Sequence, residues 1–339
     1  MLADYPISRV PELWRQGKYP AWHLYGQHHA AQFGVDMDIL PFEKFHLLGK
    51  LSRSFTGNLD QQLQLLLQLN CYDAIYAMID NILPLVSWLK LKGLIKTPII
   101  TLLHGFSLTH LMRLKWCYDA SDRLIATSRK TAEETIKLFH LPPQKMRTVN
   151  WWADTKFYPD TSPVEKYENF ILSNGKSWRD YPPLFEAVGK IGVAAKFVMQ
   201  ASEVPRKYAG NIEVIPYTSL PMTPSDFLPD LARATVVAVP LSEESSHRSN
   251  GITQLMEALA SGVPVVMTES PCIDIDIEEE GCGFWVKHGS VDDWTEKLTR
   301  ITSDPMLQRS MGRNARRIAE KYKVQNFSKS LCEIIKEVA

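Results

Sequence analysis

Two successive series of short apolar strands, each alternating with helical segments, constrain this chain of 339 residues more than any other feature. The first series is expected at Met1–Ala3, Met37–Leu40, Ala74–Met78, Ile99–Leu103, Arg123–Thr127 and Arg147–Val149. The second is expected at Phe170–Ser173, Lys196–Gln200, Ile212–Ile215, Val236–Val239, Val265–Met267 and Phe284–Val286. Helical patterns fall between them at Trp22–Phe33, Asp60–Leu69, Thr131–Phe139, Pro182–Val188, Thr253–Leu259 and Val291–Thr302. Strand–helix alternation argues for parallel sheets covered by helices on both faces, so two series make two doubly wound α/β domains. A chain of this length suits two domains. The break is expected in Tyr158–Glu168, a polar stretch with two prolines. The expected domains are residues 1–160 and 161–320. Residues 321–339 add an amphipathic last helix over Asn326–Val338, expected to pack back toward the first domain. Open α/β sheets bind ligands beyond the carboxyl ends of their strands, so two such domains facing each other would place a site in the cleft between them.

Composition excludes several functions. Lys+Arg and Asp+Glu are each 38, and the balance is +4 over residues 1–160 and −4 over the rest. That excludes a strongly basic nucleic-acid binder. A hydrophobic fraction of 45% excludes disorder. The longest apolar runs, Ile82–Val86 and Pro98–Leu103, fall far short of the ~20 residues that span a bilayer. Met1–Arg9 lacks the order of a secretory signal. Cys71, Cys117, Cys272, Cys282 and Cys332 form no C-x-x-C pair, so neither a zinc site nor a disulfide framework is indicated, and a cytoplasmic location is the expectation.

The strongest motif runs from Ser249 through Asn250, Gly251, Ile252, Thr253 and Glu257 to Gly262-Val263-Pro264-Val265-Val266. Physically it is a glycine turn, a short helix, a glycine stop and a buried strand. Gly251 lets backbone approach a ligand closely. The N–H groups at the helix start would receive a phosphate. Glu257, one turn in, is placed to accept two hydroxyl hydrogen bonds, as from a ribose. An ordinary βα connection with a solvated glutamate fits the same residues.

This motif, Glu-Ala-Leu-Ala-Ser-Gly-Val-Pro-Val-Val, resembles the signature of retaining GT-B glycosyltransferases of family 4 (group 1). Other segments follow in the family's order: Ala120–Ser128, Asn150–Pro159 with Asp154 one place late, Ser173–Asp180, and Gly281–Val286. The resemblance is dense over residues 120–320 and thin before residue 95. It implies a GT-B fold and a transferase moving a sugar from a nucleoside-diphosphate sugar to a hydroxyl acceptor, which is a glycan, a lipid or a small molecule. It also implies that Lys176 and Arg179 hold the donor diphosphate, where the family more often has Arg then Lys; Arg forks and Lys is a point charge. Glu257 matches the ribose-gripping glutamate. The family's earlier glutamate falls on Ser249, a departure, although Asn250–Thr253 fits a variant of the motif found in some relatives. Gly175, Tyr217, Ser249, Asn250, Gly251, Ile252 and Thr253 complete the expected donor side. His104, after the strand Ile99–Leu103, matches a family position facing the sugar. His247 and Arg248 lie in a long loop that either reaches the donor or is simply exposed.

No metal or other cofactor is expected. Asp36-Met37-Asp38 and Asp274-Ile275-Asp276 read as structural, and His28-His29 as helix surface, since adjacent helix positions point about 100° apart. Two rival readings share the fold: an epimerase or hydrolase of a nucleotide sugar, and a degenerate binding subunit. Lys90, Lys92 and Lys96 beside Trp88, Leu89, Leu91 and Leu94 allow loose contact with an anionic membrane, against the alternative of plain surface.

Overall fold

The computed structural model of the chain describes residues 1–2, 7, 9–42, 44, 48, 59–105, 111–162, 169–175, 178–217, 224–244 and 248–339. In chain order the helices and strands are α1 (Val10–Arg15), α2 (Gln27–Ala30), α3 (Leu59–Leu67), β1 (Ile75–Ala77), α4 (Pro84–Leu91), β2 (Ile99–Leu103), α5 (Leu111–Ala120), β3 (Arg123–Ala126), α6 (Arg129–Phe139) and β4 (Met146–Thr148). There follow β5 (Phe170–Asn174), α7 (Tyr181–Ile191), β6 (Ala194–Gln200), β7 (Ile212–Tyr217), α8 (Leu228–Arg233), β8 (Val236–Val239), α9 (Ile252–Ala260), β9 (Val265–Thr268), β10 (Gly283–Val286), α10 (Val291–Thr302), α11 (Pro305–Lys321) and α12 (Val324–Lys336). They form two compact units. One comprises Met1–Gln16, Ala21–Asn150 and Val324–Ala339; the other comprises Gly17–Pro20 and Trp151–Lys323.

The first unit holds a parallel sheet in the order β1-β2-β3-β4. Leu2 extends it by one parallel bridge to Ala77. The expected strand Met37–Leu40 does not form. Its residues run beside Met1, which donates to Asp38 O at 2.7 Å while Leu40 N donates to Met1 O at 3.1 Å, too short a pairing to make a ladder. The helix expected over Trp22–Phe33 is also broken. Tyr25 and Gly26 take left-handed φ values of 44° and 85°, so two short 3₁₀ turns flank the single turn of α2. Gly26 lies against Leu331 and Phe327 of α12, where a Cβ would come within 3.1 Å of Leu331 Cδ2. The apolar face of α12, with Phe327, Leu331, Ile334 and Ile335 buried, belongs to this unit.

The second unit holds a six-stranded parallel sheet in the order β10-β9-β8-β5-β6-β7. Its core brings Ile171, Phe197, Val236, Val266 and Val286 from the strands against Tyr181, Leu184, Trp294 and Leu298 from the helices. Chain order runs outward from β5 in one direction, then restarts at β8 on its other side. The loops after β5 and β8 therefore open at a topological switch point, where such sheets form a crevice. The chain enters this unit at Trp151, ahead of the proline-containing stretch expected to divide the chain. Ala153 N donates to Tyr322 O at 2.8 Å, and the Arg316 guanidinium donates to the carbonyls of Thr155, Tyr158 and Ala260. Trp151 and Trp152 stack at 4.3 Å, with Trp152 fully buried.

Candidate functional site

The crevice is built by two loops that pair with each other. After β5 the chain turns at Gly175; after β8 it runs through Pro240 and Leu241. Arg179 makes an antiparallel bridge to Leu241, Ser242 N donates to Trp178 O at 3.0 Å, and Asp180 N donates to Pro240 O at 3.3 Å. Trp178 sits at φ 57°, a strained conformation for a bulky residue. This turn folds the Arg179 side chain back over Gly175. A Cβ there would fall 2.6 Å from Arg179 Nη2, so a side chain at 175 and the buried guanidinium exclude each other. Burial lowers the guanidinium pKa from its usual value, opposed by Tyr181, Tyr217 and Glu203.

Gln254 ties the loop after β5 to strand β8. Arg179 Nη2 donates to Gln254 Oε1 at 3.3 Å, while Gln254 Nε2 donates to Ala238 O at 3.3 Å. Gln254 is the third residue of α9, whose start carries no side-chain cap hydrogen bond. One turn on, Glu257 Oε1 accepts from Tyr158 Oη at 2.9 Å. Glu257 also acts through space on two more phenols. Tyr19 and Tyr217 both have pKa values pushed up to about 12, first by burial and then by the Glu257 charge. A cavity of about 10 Å³, room for about one water, lies against Glu257 and is walled by Tyr158, Asn174, Phe227 and Gln254.

Gly251 has a packing reason of its own beside the expected one. Its φ is 78°, and a Cβ would come within 2.9 Å of Val239 Cγ1 and Met267 Cε. The glycine lets α9 start tight against the ends of β8 and β9. Ile252 and Thr253 open the helix. Ser249 Oγ donates to Cys272 O at 3.4 Å. The Asn250 amide nitrogen is buried with no hydrogen-bond partner among the described residues. Arg248 stacks over Trp178 at 5.4 Å. Lys176 and His247 lie outside the described residues.

His104 belongs to the first unit. Its Nε2 lies 2.8 Å from Met78 O, its ring meets Tyr25 edge-on at 5.7 Å, and burial lowers its pKa to about 4. It is a neutral imidazole at pH 7. Asp276 Oδ1 accepts from Glu278 N, Glu279 N and Trp285 Nε1, tying down its own loop.

Tyr19, Tyr158, Gln254 and Arg316 escaped the sequence reading. Gln254 stands one turn before Glu257, and that spacing was available. Tyr158 occupies a variable place between Phe157 and Pro159, and Tyr19 lies far away in sequence, so neither carried a local signal.

Comparison with known proteins bears on this geometry. The description "Glycosyl transferases group 1" matches residues 224–318, and "Glycosyltransferase Family 4" matches residues 23–157. A D-inositol 3-phosphate glycosyltransferase of Kribbella flavida is 26% identical over 226 residues, 58% of this chain and 52% of that protein. The enzyme of the same name from Saccharomonospora viridis is 31% identical over 104 residues, 31% of this chain and 23% of that one. The matches thus span about half or less of these relatives. Among solved structures, a glycosyltransferase from Rickettsia africae superposes with a TM-score of 0.64 at 15% identity, covering 90% of this chain and 84% of its own. Anabaena HepE, solved in complex with UDP, gives 0.64 at 17%, covering 93% and 88%. The two parallel-sheet units have the GT-B fold. The chain is similar to the group 1, family 4-like glycosyltransferases in both units.

Proposed function

We propose that this chain transfers a sugar, with retention of configuration and without a metal ion, from a nucleoside-diphosphate sugar to a hydroxyl acceptor. The observation that carries the reading is the convergence of Arg179, Gln254 and Glu257 at the switch point of the second sheet, beside a helix start with no side-chain cap. Glu257 accepts the ribose hydroxyls. Arg179, the first N–H groups of α9 and Lys176 carry the diphosphate, whose growing negative charge is the main quantity to be stabilised as the sugar leaves. In the reaction the anomeric carbon–phosphate oxygen bond breaks and the anomeric carbon–acceptor oxygen bond forms on the same face. The acceptor's proton passes to the departing phosphate oxygen, so no protein nucleophile is needed. Gly175, Tyr217, Asn250, Gly251, Ile252 and Thr253 shape the donor side, and His104 offers a neutral ring toward the acceptor side. UDP is the first nucleotide to try, because HepE binds it.

A binding-only relative is the second reading. It is favoured by Ser249, whose hydroxyl turns to the Cys272 carbonyl where relatives carry a glutamate. Titration calorimetry with UDP, GDP, ADP, CDP and dTDP in the presence of EDTA tests the donor site. Micromolar binding of one nucleotide, lost in Glu257→Ala, is expected; binding to none would overturn the reading. Donor consumption with acceptors then separates transfer from the binding-only alternative, and consumption without any acceptor would point to an epimerase or hydrolase.

A further inference from the structure

Gln254 is out of character with its surroundings. It is 4% exposed, and Leu255, Met256, Ala258 and Leu259 around it on α9 are apolar and buried. A buried amide brings donors and an acceptor that are costly to leave idle. Here both ends are used. Nε2 donates to Ala238 O on β8 at 3.3 Å, and Oε1 accepts from Arg179 Nη2 at 3.3 Å. The first bond sets the second: with its nitrogen on a carbonyl, the amide must turn its oxygen to the guanidinium. Gln254 also walls the small cavity against Glu257. One side chain therefore reaches both the cation and the space beside the carboxylate.

The acceptor that Gln254 offers is neutral, and that decides what it can do. A glutamate at this position would have nearly the same shape but would pair with Arg179 as an ion. It would cancel the charge that a phosphate needs and set a second anion beside it. An apolar side chain would leave the buried guanidinium without this acceptor. The amide orients the fork of the guanidinium and leaves its charge uncancelled. At 3.3 Å the bond is also longer than the usual ~2.7–3.2 Å for N–H···O, so a phosphate oxygen can replace it at little cost.

We propose that Gln254 is a positioning residue, which aims the Arg179 guanidinium through a neutral acceptor and so sets the preference of the crevice for a nucleoside diphosphate over the monophosphate. The proposal rests on the donor-site reading above, and Gln254 acts through Arg179. The test is titration calorimetry of the full chain in EDTA with UDP, UMP and uridine, or with the matching set for whichever of the five diphosphates binds. It compares the wild type with Gln254→Glu and Gln254→Met. The wild type should bind the diphosphate more tightly than the monophosphate. That preference should fall roughly tenfold or more in Gln254→Glu and roughly three- to tenfold in Gln254→Met, with nucleoside binding unchanged. Methionine keeps the length of the side chain, so Gln254→Met stays informative if a buried glutamate prevents folding, and melting temperatures check both variants. In an Arg179→Ala background neither substitution should lower the preference further, because the effect runs through the guanidinium. A preference unchanged in both variants, an equal loss for all three ligands, or additive losses in the Arg179→Ala background would overturn the proposal and leave the donor site standing. A wild type that binds none of the diphosphates would overturn the donor-site reading, and this proposal with it.

Discussion

The loops after the strands do opposite things in the two units. In the second unit the loops after β5 and β8 gather Arg179, Gln254 and Glu257, ringed by phenols. In the first unit the residue after β2 is His104, hydrogen-bonded to the Met78 carbonyl and deprotonated by burial. Both sheets are parallel, but only the second reverses its strand order; the first runs β1-β2-β3-β4 with no switch point among the described residues. The second unit places the cation of Arg179 and the carboxylate of Glu257 at its switch point; the loop after β2 places a neutral ring against backbone. Parallel-sheet architecture alone does not make a crevice; the switch point and the cation beside it mark the second unit as the candidate donor side.

The contrast can be broken by acid, where the largest effect is expected. His23 and His104, both in the first unit, have pKa values lowered to about 4 by burial. The unfolded chain binds these protons near pH 6.5, so it holds more protons than the folded chain between pH 6.5 and 4. Stability is full above pH 6.5 and falls through that window, by about 3 kcal/mol per histidine at its lower end. Hydrogen exchange followed by mass spectrometry at pH 7 and pH 4.5 should show the first unit losing protection. His23→Gln with His104→Gln should flatten that dependence. An unchanged pH slope in the double variant would remove histidine burial as the cause.

Gly175→Ala sharpens the comparison from the other side. The added Cβ meets the Arg179 guanidinium, which must leave its place over the turn. A loss of roughly a hundredfold in nucleotide affinity is expected, about 2.7 kcal/mol, with little change in melting temperature, because the displaced group is a cation whose burial was unfavourable to begin with. Gly251→Ala should act on stability as well as on the donor side. Its φ and its contacts with Val239 and Met267 make it a packing position, so it should cost about 2 kcal/mol of stability. Calorimetric unfolding and nucleotide titration on both variants separate the two roles; a stability loss in Gly175→Ala as large as in Gly251→Ala would collapse the distinction.

Most of the architecture was legible in the sequence because buried parallel strands are written as short apolar runs. Ile99–Leu103, Val236–Val239 and the α9 motif all fall where the pattern put them. The failures have physical causes. Met37–Leu40 is apolar enough for a strand but meets only Met1. Trp22–Phe33 has helical periodicity interrupted by two left-handed residues that periodicity does not register. At the candidate site, Arg179 was singled out by the family resemblance, and Glu257 by its place one turn into the glycine-started helix together with that resemblance. The residues that hold them were not. Arg316 is 137 positions from Arg179 and looks like any other cation on an amphipathic helix, yet it donates to the Tyr158 carbonyl and to the end of α9. Contacts over such separations are made by the fold and leave no local pattern.

Tyr158 gives the smallest effect and the finest test of that lesson. The side chain is 1% exposed, its backbone is held by Arg316, and its hydroxyl donates to Glu257. Tyr158→Phe keeps the ring and removes one hydrogen bond to a carboxylate. If Tyr158 orients Glu257, nucleotide affinity should fall by roughly three- to tenfold while stability changes by about 1 kcal/mol or less. The discriminating readout is the comparison of a ribonucleotide with its 2′,3′-dideoxy analogue. Glu257 can act on the diol only if it is aimed at it, so the preference for the ribonucleotide should shrink in the phenylalanine variant. A preference that survives unchanged, together with a loss of stability, would make Tyr158 a buried packing residue whose hydroxyl merely occupies a carboxylate with spare acceptor sites.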